Sequence, residues 1–315
     1  MKILIYGSGA VGLGVAAAIY DGGLDIDLIA RGKTKEAVIS NGIIRKGIFK
    51  EIFVPADEIN VYENLSQVNG RYDFVLVCTK TTGTSEASDE LYKYSDILEK
   101  DGKIVIFQNG FGNDEPFLNH FSKDKIYSAR VITGFSRPER NISLVTVHSA
   151  PILIGSLYGN NLKAVEPLAN AINKGGIPCE TNTEVSKALW AKMIYNCTLN
   201  PLGAILNVAY GKLTKSESSV FIMNKIIDEI FAVINAAGYE TYWKDSESYK
   251  EVFYNEILPP TYNHRSSTLQ DIERKIKTEI DSLNGYVIKL AKKYNVDVPY
   301  NIMIYNMIKA KESYF

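Results

Sequence analysis

The opening of the chain constrains the fold more than any other stretch. Ile3-Leu4-Ile5-Tyr6 is a short, unbroken apolar run, the pattern of a strand buried on both faces. It enters Gly7-Ser8-Gly9-Ala10-Val11-Gly12 without a spacer, and Leu13 to Tyr20 then reads as a helix of small and branched residues. This is G-x-G-x-x-G in a strand–turn–helix setting, which points to a doubly wound α/β sheet that binds a dinucleotide. Gly7 is expected to make the tight turn, Gly9 to let backbone approach a pyrophosphate, and Gly12 to let the helix close on the strand. The anion would rest on the free N–H groups of the helix start. A tight turn without a ligand is the plainer alternative, and the correct flanks on both sides argue against it.

The rest of the chain is long enough for about two domains, each with its own core, at 315 residues. A formal net charge of −1 and the lack of any dense Lys/Arg run give no reason to expect a nucleic-acid partner. No apolar run of membrane-spanning length occurs, and the few apolar residues after Lys2 are too short for a signal segment. Cys78, Cys179 and Cys197 are scattered, with neither metal-ligand nor redox spacing. They are expected as buried, reduced thiols of a cytoplasmic protein. His148 and His264 have no array of ligands around them, so no metal is expected.

A second strand, Ile26 to Ala30, ends at Arg31-Gly32-Lys33. In nucleotide folds an acid near this point grips the ribose 2′-hydroxyl, whereas an Arg accommodates a 2′-phosphate. Asp25 and Asp27 lie at the wrong end of the strand, so Arg31 favours NADP; a solvated basic loop is the bland alternative. Phe74 to Cys78 and Ile104 to Phe107 are further buried strands, tipped by Thr79-Lys80-Thr81 and by Gln108-Asn109-Gly110. Ligands bind beyond the carboxyl ends of such strands, which makes Lys80 and Asn109 candidates for the cofactor and substrate side. Strand patterns continue at Tyr127 to Ile132, Leu144 to His148, Ile152 to Gly155 and near Pro178 to Thr181, with a helix at Leu162 to Lys174 between the last two. After Glu184 the periodicity is almost entirely helical. The expected division is residues 1–182 for the α/β domain and 183–315 for an α-helical domain.

In the helical half, Lys192, Asn196 and Asn200 stand at i, i+4 and i+8, one narrow polar stripe on a helix that is otherwise apolar. A cation and two amides aimed at one spot are costly to bury unless a polar partner or a substrate meets them. Pro201 is expected to kink or interrupt this helix just after Asn200. Glu217 to Ala237 reads as a long amphipathic helix, followed by a less regular stretch through Tyr262. Ser267 with Gln270 fits a capping box, and the helix it starts is expected to run past Glu279 towards Lys293. Alone, Ser267 is a helix cap and Glu279 a solvated carboxylate. No nucleophile elbow or Cys/His pair is present.

Taken together, these motifs resemble the ketopantoate reductase (2-dehydropantoate 2-reductase) family nearly end to end. The likeness rests on Gly7 to Gly12, Arg31, the Lys80 turn, Gln108-Asn109-Gly110, Leu189 to Leu202, Ser266 to Asp271, and Thr278 to Gly285. It implies an N-terminal Rossmann-type doubly wound sheet and an all-α C-terminal domain similar to that of 6-phosphogluconate dehydrogenase. It implies Lys192 as the catalytic lysine and Glu279 as its partner carboxylate, which also faces the cofactor. Asn196, Asn200 and Ser267 match substrate-holding positions, and Asn109 one near both substrate and cofactor. Gly7, Ser8, Gly9, Ala10, Val11, Gly12, Arg31 and Lys80 match NADPH-binding positions. The implied reaction is NADPH-dependent reduction of the 2-keto acid 2-dehydropantoate to pantoate, a step of pantothenate and coenzyme A biosynthesis, with Lys192 as proton donor, and a homodimer is one assembly open to such a chain. Three places depart from the family pattern: Arg137-Pro138-Glu139-Arg140 replaces small residues and a Pro-Gly turn, Thr268 replaces a Met, and Ile276 replaces an Arg. Two rivals share parts of the pattern: a β-hydroxyacid or opine-type dehydrogenase, and a non-catalytic NADPH sensor that need not keep Lys192, Asn196 and Glu279 together.

Overall fold

The computed structural model describes residues 1–315. The chain falls into two compact units, Met1–Gln108 with Asn113–Val185, and Asn109–Gly112 with Ser186–Phe315.

All strands belong to the first unit. They are β1 (Lys2–Tyr6), β2 (Asp25–Ile29), β3 (Ile43–Gly47), β4 (Ile52–Val54), β5 (Asn60–Tyr62), β6 (Tyr72–Val77), β7 (Leu98–Ile106), β8 (Ile126–Arg130), β9 (Thr133–Ser136), β10 (Ile142–His148), β11 (Ile152–Gly155) and β12 (Cys179–Thr181). The helices between them are α1 (Ala10–Asp21), α2 (Gly32–Asn41), α3 (Thr84–Lys93), α4 (Glu115–Leu118) and α5 (Glu166–Lys174). The main sheet has the order β12-β11-β8-β7-β6-β1-β2-β5. Its run from β5 to β8 is parallel throughout, and β11 joins β8 antiparallel. Reading out from β1 in both directions gives the doubly wound arrangement, whose switch point lies between β1 and β6.

Alternate residues of β1 explain why its sequence is apolar throughout. Ile3 and Ile5 enter the core shared with α1 and α5, while Leu4 and Tyr6 enter the core on the opposite face with Ala87 and Leu91 of α3. A strand covered on both faces has no polar side to show.

Leu144 to His148 is a strand, but not of the main sheet. β10 pairs in parallel with β3 and antiparallel with β9, giving a separate four-stranded sheet, β4-β3-β10-β9. Alternation reveals that a segment is extended and is silent about its neighbour, so this second sheet was not expected. It packs close to α1: a side chain at Gly14 would collide with Phe135 of β9 and Ser143 of β10.

The second unit holds α6 (Val185–Leu206), α7 (Tyr210–Leu213), α8 (Glu217–Ala236), α9 (Ser246–Val252), α10 (Ser267–Glu273), α11 (Asn284–Tyr294) and α12 (Pro299–Glu312). Pro201 lies inside α6 and does not end it. The less regular stretch before Tyr262 holds the short α9 and further short turns. One expectation needs correction: the helix that begins near Ser267 stops at Glu273, so Glu279 is not on it. Lys275 has φ +53, and its N–H donates to the Ile272 carbonyl while that of Ile276 donates to Asp271. That is a left-handed helix terminus made by lysine, where glycine would have announced the stop.

Candidate active site and nucleotide loop

The polar stripe of α6 is built as its spacing suggested. Lys192 Nζ donates to Asn109 Oδ1 at 2.6 Å, and Asn109 Nδ2 donates to Glu279 Oε2 at 3.0 Å. One amide therefore bridges an ammonium and a carboxylate, using its acceptor for one and its donor for the other. Asn109 also fixes its own amide orientation by doing so. The adjacent pocket is lined by Asn109, Asn196, Asn200, Ser267, Thr268, Asp271, Glu279 and Leu283. Lys192 reaches this rim through Asn109. All six polar positions expected for catalysis or substrate thus gather within the second unit.

Asn109 reaches this place because residues 109–112 belong to the helical unit, whereas Gln108 belongs to the first. Phe111 stacks on Trp190 with ring centroids 4.9 Å apart, and its N–H donates to the Ser282 carbonyl at 3.2 Å. Gly110 has φ +90 and lies against Ser282, where a side chain would collide with the Ser282 backbone. Gln108 serves the other unit: its Nε2 donates to the Thr79 carbonyl and hydroxyl and to the Lys80 carbonyl, 3.0–3.3 Å. The turn that carries Lys80 is held by Gln108, a role the sequence did not suggest.

Ser267 owes its availability to a shift of one residue at the cap. The N-cap of α10 is Ser266, whose buried hydroxyl accepts from the Leu269 N–H and donates to the Asn200 carbonyl, each at 3.0 Å. The capping box expected for Ser267 and Gln270 does not form, and Ser267 turns to the pocket instead. Thr268 and Asp271 were not expected in the lining. Asp271 could have been found, since it stands four residues after Ser267 and so shares its helix face.

Pro201 explains a buried network behind the stripe. Without an N–H, proline leaves the carbonyl four residues earlier without its helical partner, and here that is the Cys197 carbonyl. Asn284 Nδ2 donates to it at 3.2 Å and to Asn301 Oδ1 at 2.9 Å. Asn301 Nδ2 in turn donates to Glu229 at 2.7 Å, and Glu229 also accepts the Tyr300 and Asn301 N–H groups at the start of α12. Asn284→Leu would leave a buried carbonyl of α6 unpaired, for a cost of about 1–3 kcal/mol. Urea unfolding measures this; unchanged stability would mean that Asn284 is not the group that satisfies Cys197. Nearby, Tyr210 donates to Asn200 Oδ1 at 2.5 Å, and burial holds its hydroxyl well above its ordinary pKa, so it stays a neutral donor.

In the first unit, the glycine-rich loop meets the requirements of its motif. Gly7 has φ +122, and a side chain there would strike the backbone of Cys78 and Thr79. A Cβ on Gly12 would overlap the Gly7 carbonyl, so only glycine lets α1 start this close to β1. A Cβ on Gly9 would meet no protein atom within 4 Å. Packing within the chain therefore does not require glycine at position 9, whereas close approach of a pyrophosphate does. Gly9 is the N-cap of α1 and offers no side-chain acceptor to the first helical N–H groups; these suit an anion. The residues present fit a dinucleotide.

Arg31 caps α2 just beyond β2, the expected place. It also has partners of its own: both terminal nitrogens lie 3.1 Å from Glu86 Oε1, and Nη2 lies 3.7 Å from Glu90. The hydrogen bond to Glu86 raises the Arg31 pKa. Asp27 is no ribose ligand; it is buried and held by Lys2 at 2.7 Å and Tyr72 at 2.5 Å. All three cysteines are free and buried, and burial pushes the Cys179 thiol to about 12. No group of three or more His, Cys, Asp or Glu side chains is placed to hold a metal ion. No helix is long and apolar enough to cross a membrane.

Residues 3–162 match the model of ketopantoate reductase PanE/ApbA, and residues 184–312 that of the ketopantoate reductase PanE/ApbA C terminal. The chain belongs to the ketopantoate reductase family. A 2-dehydropantoate 2-reductase of Aquifex aeolicus is 36% identical over 313 residues, 99% of this chain and 97% of the relative. One from Pyrococcus horikoshii is 30% identical over 318 residues, 99% and 98% of the two chains. Among solved structures, a PanE/ApbA family ketopantoate reductase from Ralstonia eutropha superposes with a TM-score of 0.84 at 27% identity, covering 100% of this chain and 99% of that one. D-mandelate dehydrogenase shares the fold with a TM-score of 0.85 at 21% identity, over 100% and 99%. The Rossmann-type sheet followed by a helical domain is therefore the architecture of the family and is used by more than one oxidoreductase.

Proposed function

We propose that this protein reduces 2-dehydropantoate to pantoate with NADPH, a step towards pantothenate and coenzyme A. The observation that carries the reading is the Lys192–Asn109–Glu279 chain of hydrogen bonds at a pocket lined by Asn196, Asn200 and Ser267. The close relatives named 2-dehydropantoate 2-reductase support the substrate.

Gly7 to Gly12 would hold the pyrophosphate, Arg31 the 2′-phosphate and Lys80 the ribose side. When bound, NADPH supplies the hydride that reduces the C2 carbonyl. Negative charge then develops on the carbonyl oxygen, and Lys192, as an ammonium, stabilises it and delivers its proton there. Asn109 positions that ammonium. The substrate carboxylate is expected against the donors Asn196, Asn200 and Ser267, away from Glu279 and Asp271, since like charges repel at short range. The substrate hydroxyl can donate to Glu279. Fixing both ends of a small acid in this way contributes several orders of magnitude in rate.

The fold alone does not select the acid, because D-mandelate dehydrogenase shares it. The deciding assay follows NADPH oxidation by purified protein with ketopantoate and a panel of other 2-keto acids. Turnover is expected to be fastest with ketopantoate. Preference for another 2-keto acid would move the substrate and keep the mechanism; no turnover with any would remove both.

A further inference from the structure

Arg137 lies in the segment between β9 and β10, and its side chain connects two parts of the nucleotide-binding unit. Its Nη1 donates to the Ser8 carbonyl of the glycine-rich loop at 3.0 Å and to Thr34 Oγ1 at 3.3 Å. Thr34 is in the first turn of α2, three residues after Arg31. The exposed guanidinium therefore stands at both segments that read phosphates in such folds: the loop beneath the pyrophosphate and the helix start that meets the ribose 2′ position. The hairpin is fixed in place by Ser143, whose hydroxyl donates to the Ala10 carbonyl at 2.7 Å.

Charge at that helix start makes the position matter. Arg31 faces two carboxylates, Glu86 and Glu90. Arg31 thus meets a doubly charged 2′-phosphate with its charge already engaged by carboxylates, and of the two lysines in the same turn, Lys33 and Lys35, the latter pairs with Glu63 at 3.7 Å. A second guanidinium adds positive charge there and offers forked donors suited to phosphate oxygens.

We propose that Arg137 is a second anchor for the 2′-phosphate of the cofactor and shares with Arg31 the selection of NADPH over NADH. This rests on the NADP reading above. Arg137 is a specificity residue here and takes no part in the chemical step.

Dissociation constants for NADPH and NADH, measured by nicotinamide fluorescence on wild-type protein and on Arg137→Met, test the assignment. The methionine variant is expected to bind NADPH roughly ten- to a hundredfold more weakly, the worth of one charge-assisted hydrogen bond. NADH affinity should stay near wild type, and Arg137→Lys should recover part of the NADPH affinity. A thermal melt confirms that the variants fold. If NADPH and NADH weaken equally, Arg137 is a clamp on the glycine-rich loop and the proposal is overturned; unchanged NADPH affinity overturns it too. A wild-type protein that binds both cofactors alike refutes the NADP reading itself. A preference that Arg31→Ala abolishes and Arg137→Met leaves intact refutes only the present inference.

Discussion

Lys192→Ala is expected to lower kcat by roughly a thousandfold, the usual worth of a positioned proton donor that also stabilises an oxyanion. The affinity for NADPH should change little, because the cofactor is assigned to Gly7–Gly12, Arg31 and Lys80 and not to Lys192. The effect should also separate from that of Asn109→Ala. In the proposed mechanism Lys192 supplies the proton, whereas Asn109 holds the ammonium at 2.6 Å and is itself held by Glu279 at 3.0 Å. Losing Asn109 leaves the donor present and poorly aimed, so kcat should fall less than with Lys192→Ala, and KM should rise. Stopped-flow and steady-state measurements on the two variants decide this. A Lys192→Ala enzyme with near wild-type kcat would show that the proton comes from another group.

The second large effect concerns the glycine-rich loop and is a contrast between two substitutions. A side chain on Gly12 would overlap the Gly7 carbonyl, so Gly12→Val forces the start of α1 away from β1. The expected loss is about 1–3 kcal/mol of stability from overpacking, and cofactor binding should fall with it because the loop is displaced. Gly9→Ala is different, since its Cβ meets no protein atom within 4 Å and its backbone is in the ordinary extended region. Its melting temperature should remain close to wild type while NADPH affinity drops sharply. Thermal melts paired with cofactor titration make the comparison. Tight NADPH binding by Gly9→Ala would place the pyrophosphate elsewhere than against this loop.

Several elements were legible because a single local pattern carries them. The apolar run of β1, the glycines after it and the small residues of α1 specify each other over a short distance. The Lys192, Asn196, Asn200 stripe follows from helical spacing alone. What failed depended on partners distant in sequence or on local irregularity. β10 reads as a strand, but only its pairing with β3 places it in a second sheet. The end of α10 was hidden because Lys275 adopts a conformation that sequence associates with glycine. Ser267 looked like the cap, and the choice of Ser266 was made by the Asn200 carbonyl, 66 residues earlier, which its hydroxyl reaches.

By itself, the sequence determined that an α/β nucleotide fold precedes a helical half, and which side chains were available for chemistry. These are properties of periodicity and residue type, readable within a few turns of chain. Tertiary structure decided what those side chains meet. It joined Lys192 to Glu279 through Asn109 by carrying residues 109–112 into the helical unit. It set Glu86 and Glu90 against Arg31, and brought Arg137 to the glycine-rich loop 129 residues away. Hydrogen bonds and ion pairs act over a few ångströms, and which distant residues come that close is fixed only when sheets and helices pack.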